Sequence, residues 1–263
     1  MNQHTGRHGT ILMDNANKSA SPHKSNRSVR LYASPPHACA YLEEREAITQ
    51  FIDPSQKMSS RLYSQLVEVG FRRSGEYVYR PQCNSCQACR PARIPTGSFQ
   101  PSRTQRRNWR RNQNLNVRFM PAVFQEEHFA LYRSYIGARH AGGDMDVSNP
   151  ERFREFLLSS WGDTWYYEFR LGPRLLAVAV VDRLAQGLSA VYTFFDPAFA
   201  DRGLGTFALL WEISDAHSNG LPWLYLGYWI KECPKMSYKN RFHPLEIYRD
   251  GLWQALPDKD EIP

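Results

Sequence analysis

The chain has 263 residues, 42% hydrophobic and 13% aromatic, with a formal net charge of +7 and a pI near 9.2. That composition builds a globular core in one large domain or two modest ones and excludes a fibrous or largely disordered chain. Its longest apolar run, Leu175 to Val181, is too short to span a bilayer, and the early run Ile11-Leu12-Met13 is no signal peptide. A cytoplasmic location without membrane contact is the expectation.

Residues 1–30, rich in Asn, Ser, His and Lys, read as a disordered tail. After Asp53-Pro54, the apolar positions Leu62, Leu66 and Val69 share one helix face that Gly70 closes. "FRRSGEYVYR" predicts a hairpin turning at Ser74-Gly75, ahead of a cysteine cluster and the extended "ARIPTGSF". A helix from Ser102, a short strand in "LNVRFM" and two further helices, "EEHFALYRSYIGARHAG" and "ERFREFLLSSW", follow. From Thr164 the character changes to three β-rich runs, a helix "GTFALLWEISDAHSNG" and a last strand "WLYLGYWI". The expected division is 31–118, an N-terminal domain with the cysteines and the basic helix, and 119–263, a second α/β domain.

The helix from Ser102 carries the strongest functional signal. Arg103, Arg106, Arg107, Arg110 and Arg111 follow the i, i+3, i+4, i+7, i+8 series of one helix face. Ser102 and Gln105 fit a capping box at its start. Between Arg90 and Arg118 there are eight arginines and no acid, so this segment alone carries more charge than the chain's net. A solvated face would intersperse glutamates, because like charges at this spacing repel. The one-sided pattern points to a polyanion, with nucleic-acid phosphate the natural choice.

Five cysteines, an odd number with three clustered, do not form a secreted disulfide framework. Cys83, Cys86 and Cys89 are spaced C-x2-C-x2-C, and Cys39 upstream could complete a tetrahedral set for zinc or an iron–sulfur cluster. Small buried thiols without a metal are the alternative. A second dense stretch, "LYLGYWIKECPKMSYKNRFHP", joins Tyr225, Tyr228 and Trp229 to Lys231, Lys235, Lys239 and Arg241. Stacking faces beside cations suit a single-stranded nucleic-acid end; a core strand followed by a solvated loop is the competing reading.

The order from Thr164 onward, a three-stranded meander, a helix and another strand, is that of the GNAT acyltransferase core. Arg202, Gly203 and Gly205 sit where that fold cradles a pyrophosphate, but the last glycine position is Phe207. The fold class expected is α/β (α+β) with a GNAT-like core and a cysteine-containing N-terminal domain. Three segments, "LYSQLVEVGFRRSGEYVYRPQCNSCQACRPARIP", "PSRTQRRNWRRN" and "LGTFALLWEI" with "LYLGYWIKECPKMSYK", resemble the aminoacyl-tRNA–protein transferases of the N-degron pathway. The likeness is closest to the bacterial aspartate/glutamate leucyltransferases. It implies transfer of leucine from Leu-tRNA to the α-amine of proteins beginning with Asp or Glu, marking them for degradation, with no cofactor required. It also associates the positions Cys39, Cys83, Cys86 and Cys89 with the iron–sulfur binding of the eukaryotic branch, whose spacing differs.

On that reading the arginine stripe, Arg202 and Tyr228 bind tRNA, while Arg80, Arg90, Lys235 or Lys239 meets the acceptor's carboxylate. Tyr192, Thr193 and Asp196, in "VYTFFDP", line the acyl site and relay the proton; packing and turn formation compete with those roles, most strongly at Asp196-Pro197. Three rivals stand beside this reading: arginyl transfer by the same chemistry, a non-catalytic tRNA-binding protein with a GNAT-like core, and an acetyl-CoA-dependent acetyltransferase. Phe207 argues against the last.

Overall fold

The computed structural model describes residues 9–11, 28–139 and 149–256. The N-terminal elements are β1 (Gly9–Ile11), β2 (Val29–Ala33), the small ribbon of β3 (His37–Ala38) and β4 (Glu46–Ala47), then β5 (Thr49–Ile52), helix α1 (Ser60–Glu68), and the hairpin β6 (Arg72–Ser74) and β7 (Tyr77–Pro81). They form a five-stranded sheet in the order β1-β2-β5-β7-β6 beside the two-stranded ribbon. The Ser59 hydroxyl accepts the Leu62 N–H at 3.2 Å to start α1, which buries Leu62, Tyr63, Leu66 and Val67. The tail expectation needs a correction here: Gly9–Ile11 pairs with Val29–Leu31, and Val29 and Leu31 are core residues. Three residues in so polar a stretch leave no periodicity to detect.

The second sheet has eight strands in the order β15-β14-β8-β13-β12-β11-β10-β9. Its members are β8 (Arg90–Pro95), β9 (Asn116–Pro121), β10 (Thr164–Leu171), β11 (Arg174–Leu184), β12 (Gly187–Phe195), β13 (Trp223–Trp229), β14 (Glu246–Arg249) and β15 (Leu252–Ala255). Between them run α2 (Arg103–Arg111), α3 (Glu126–Arg139), α4 (Pro150–Leu157), α5 (Leu204–Ser218) and the single turn α6 (Pro234–Ser237). Sheet membership divides the chain between Pro81 and Arg90, well upstream of residue 118. A short strand's sequence does not encode its partner, and both β8 and β9 join the larger sheet.

Helix α5 is apolar nearly all round, as a helix inside a core must be. Leu204, Phe207, Leu210 and Ile213 pack with Leu188, Leu224, Leu226 and Ile94. On the opposite face of the sheet, α3 and α4 close over Tyr166, Val178, Val180 and Phe194. Among them His128 Nε2 lies 2.6 Å from Glu168 Oε1, and Arg170 joins Glu168 to Glu127. Burial pushes the Glu168 carboxyl up, but its bonds to Arg170 and His128 outweigh that and hold it below the usual carboxylate value.

Two features position the site. The first is a buried ion pair joining the hairpin to the middle of the large sheet. Arg73 donates from Nε and Nη2 to the two Asp182 oxygens, each at 2.7 Å, and both side chains are fully buried. The second is a fork. β12 and β13 pair in parallel only at Gly187–Ser189 with Trp223–Tyr225, yet continue to Phe195 and Trp229. Val191, one residue extra against β11, marks the bulge at which β12 departs.

Candidate functional site

The basic helix is held by the face opposite its arginines. Ser102 and Gln105 close a reciprocal capping box, and the Gln105 amide donates to Arg241 O at 3.0 Å. Asn108 donates to Arg202 O and Gly203 O, and Asn112 donates to Arg202 O. Trp109 stacks on Trp211 of α5 with 5.6 Å between ring centres and 12° between planes. Arg103, Arg106, Arg107, Arg110 and Arg111 are left on the exposed side, as their spacing predicts. The arginine face is thus a row of exposed guanidinium groups on a helix anchored by its other side.

Arg111 of this row and Arg202, before α5, also build the support. Arg111 donates to Asp201 O. Arg202 spends its guanidinium on Asn112 Oδ1, Arg111 O and Asn114 Oδ1, which ties the loop before α5 to the end of α2. Gly203 caps α5 with φ 63°, and a Cβ there would lie 2.6 Å from the Asn108 amide nitrogen. Phe207, in the last position of the glycine-loop pattern, is buried against Trp109 and Phe169. Tight packing of α2 on α5 accounts for the glycine and for the phenylalanine.

The aromatic strand is not a stacking surface. Tyr225, Tyr228 and Trp229 are all buried, and the Tyr228 hydroxyl donates to Gly70 O at 3.0 Å and Tyr79 O at 3.3 Å. β13 is central in its sheet and the hairpin covers it, so these rings serve as core. Tyr192 is half-buried among Tyr132, Tyr135 and Phe156 on the α3 and α4 side, and burial raises its phenol well above the ordinary value. Thr193, half-buried, precedes Phe194 on the strand beyond the fork. Asp196 accepts from Ala198 N at 3.0 Å and pairs with Arg174 at 2.7 Å, the work of a turn former.

The four proposed acceptor-binding cations scatter. Arg80 donates to Gln50 and lies over the Phe71 ring, Arg90 is half-buried beside Gln87, and Lys235 is exposed. Lys239 differs: 5% exposed, it donates to Tyr228 O at the mouth of the fork. Burial, with Arg72 adding to it, pulls its ammonium down to about 7.

Cys39, Cys83, Cys86 and Cys89 all line a cavity of about 550 Å³ between the ribbon and β13. Their soft donors suit zinc or a cluster, but the geometry does not assemble one. Cys86 Sγ accepts from Arg45 at 3.4 Å, and the Cys89 thiol is pushed up to about 12 by burial, with the neighbouring thiols adding to it. Among the described residues no three His, Cys, Asp or Glu side chains are grouped to hold a metal ion.

Sequence reasoning missed two buried charges. Arg72 lies in the fork itself. Glu212 of α5 is fully buried, and neither carboxylate oxygen has a hydrogen-bond partner among the described residues. Burial, with Asp215 adding to it, pushes the Glu212 carboxyl up to about 8, against an ordinary value of 4.5. Folded, it keeps its proton to the higher value; unfolded, it loses it at the lower. The folded state binds the extra proton in between, so stability falls as pH rises through that window. Glu212→Gln is expected to remove that slope, raising Tm at pH 8 while leaving pH 4 little changed. Parallel thermal melts at the two pH values check it; an equal shift at both would refute the ionisation.

Comparison with known proteins supplies the class. The arginine-tRNA-protein transferase family matches over both its parts, the N terminus at residues 37–107 and the C terminus at 127–249. The aspartate/glutamate leucyltransferase of Nitrosococcus oceani is 53% identical over 228 residues, covering 86% of this chain and 96% of its own. Those of Marinobacter nauticus and Alcanivorax borkumensis are 50% and 51% identical, covering 88% and 89% of this chain and 97% of each relative. The chain belongs to the aspartate/glutamate leucyltransferase family.

Proposed function

We propose that the protein moves leucine from leucyl-tRNA onto the α-amine of polypeptides that begin with Asp or Glu. The observation that carries this reading is the exposed arginine face of α2, fixed by Asn108, Trp109 and Asn112 against the helix that follows the fork, in a chain of this family. Arg103, Arg106, Arg107 and Arg110 grip tRNA phosphates; Arg111 and Arg202 keep the helix seated. We read β10 to β13 with α5 as a GNAT-like core, supported by the antiparallel meander, the intervening helix and the parallel strand that parts from its neighbour. Tyr192 and Thr193, beyond the fork on β12, line the acyl site. No step runs through a metal.

The reaction needs little from the protein beyond placement. An α-amine has a pKa near 8, so a useful fraction is neutral in the cell. Its nitrogen attacks the carbonyl carbon of the aminoacyl ester, a C–N bond forms, and the C–O bond to the ribose breaks. The ribose oxygen leaves with the proton the amine gives up. What the reaction needs is both ends held together and the developing negative charge on the carbonyl oxygen steadied. Neither role needs an enzyme nucleophile.

Single-turnover transfer from labelled Leu-tRNA and Arg-tRNA to peptides beginning Glu or Ala tests the reading. Leucine is expected to move, and only to the Glu peptide. Arginine moving in its place would overturn the donor assignment. Tight tRNA binding with no transfer would make the arginine face a grip for another purpose.

A further inference from the structure

Arg72 reaches from the hairpin into the fork between β12 and β13. Its Nη2 donates to Ala190 O of β12 at 2.7 Å. On the other side it lies against Gly227 of β13, where a Cβ would sit 3.4 Å from its Nε. Gly227 has φ 76°, so the position both needs glycine for its backbone and leaves room for the guanidinium. Lys239 closes the fork from the C-terminal segment, donating to Tyr228 O. That carbonyl faces the fork. Thr96 N–H donates to Pro222 O, so by alternation Ile94 and Ala92 of β8 turn their backbone groups to β13, whereas Tyr228, opposite Pro91, turns its own towards β12.

Two cations are thus packed at the parting of the strands, 8% and 5% exposed. Among the described residues neither has an ion-pair partner, and the buried Arg72 Nη1 has no hydrogen-bond partner. A buried guanidinium with a spare donor is costly unless an anion completes it. Parted strand edges are also where an extended chain can be inserted, here beside the Ala190 and Tyr228 carbonyls that Arg72 and Lys239 already hold. Small size, negative charge and attachment to an extended chain describe the first residue of an acidic acceptor. They do not describe a tRNA phosphate, for which the exposed face of α2 is built.

We infer that Arg72, with Lys239 beside it, reads the side-chain carboxylate of the acceptor's first residue in the fork between β12 and β13. This rests on the reading of the reaction given above. Arg72 is then a specificity-determining residue, and Arg80, Arg90 and Lys235 are not needed for recognition. The ammonium of Lys239, already lowered by burial and by Arg72, is held charged by the incoming carboxylate.

The test compares kcat/KM for peptides beginning Glu and Gln, in the wild type and in Arg72→Gln, Arg72→Lys and Lys239→Gln. Wild-type transfer to the Glu peptide is measured first; its absence would overturn the reading of the reaction itself. Given that transfer, Arg72→Gln is expected to lower the Glu-over-Gln ratio by about 100-fold, chiefly through KM for the Glu peptide. Arg72→Lys is expected to keep a preference for Glu, since it keeps the charge. Lys239→Gln is expected to lower the ratio in the same direction by about 10-fold, and it carries the test if Arg72→Gln fails to fold. Leu-tRNA affinity and Tm are followed in each variant. Parallel loss on both peptides, with the ratio unchanged, would make the two cations structural and sink the inference while leaving the reaction intact.

Discussion

Glutamate at Arg106 and Arg110 together is expected to weaken tRNA binding by roughly 100-fold near physiological salt and to flatten its salt dependence by about two units of slope. Both side chains are exposed on the outer face of α2, and neither belongs to the contacts with α5 that hold the helix. The fold should tolerate the change, so Tm stays close to that of the parent. The effect on binding comes from losing two phosphate contacts and adding two repulsive charges. Fluorescence titration of labelled tRNA at several salt concentrations checks it. An unchanged slope would remove this face from the tRNA interface, whatever happened to the affinity. A lowered Tm with an unchanged slope would point to a packing role in its place.

Breaking the Arg73–Asp182 pair should produce the largest loss of stability. Arg73 also donates to Leu157 O and the Thr164 hydroxyl, so one side chain joins the hairpin, the end of α4 and strands β10 and β11. Asp182→Leu leaves a buried guanidinium without its counter-charge, at a cost of about 3–5 kcal/mol. For a chain of this size that corresponds to a Tm lower by roughly 10–15 °C. Replacing both partners, as in Arg73→Leu with Asp182→Leu, should cost less than either single change, because no charge is left stranded. Thermal melts of the two single variants and the double variant close the cycle. Additive losses would show that the two groups do not act as a pair.

The arginine helix was legible because an amphipathic helix writes itself into sequence. A capping box, a spacing of three and four, and the absence of acids together define one face and its charge. The hairpin, which turns at Gly75-Glu76, one residue beyond the Ser74-Gly75 expected, and the run of strands from Thr164 were legible for the same local reason. What faces those elements was not. Residue types made Tyr228 a stacking ring, and the glycine-loop pattern with the resemblance made Arg202 a tRNA contact; the topology buries the first at the centre of a sheet and uses the second to tie the loop before α5 to α2. The cysteines share a cavity, but spacing could not show that their side chains fail to converge on a metal.

Sequence by itself therefore determined the family, the basic face and the order of elements from α1 to β13, all carried by neighbours along the chain, but not β1 to β5, β14 or β15. Only the tertiary structure decided that β8 and β9 belong to the large sheet and that β12 and β13 part beyond Ser189. It alone brought Arg72, Ala190, Gly227 and Lys239 into one place. Strand pairing between distant segments depends on which faces must be buried together, and a buried charge becomes informative only once its surroundings are known. "FRRSG" states that two arginines are adjacent. The fold sends one to a carboxylate and leaves the other with a donor to spare.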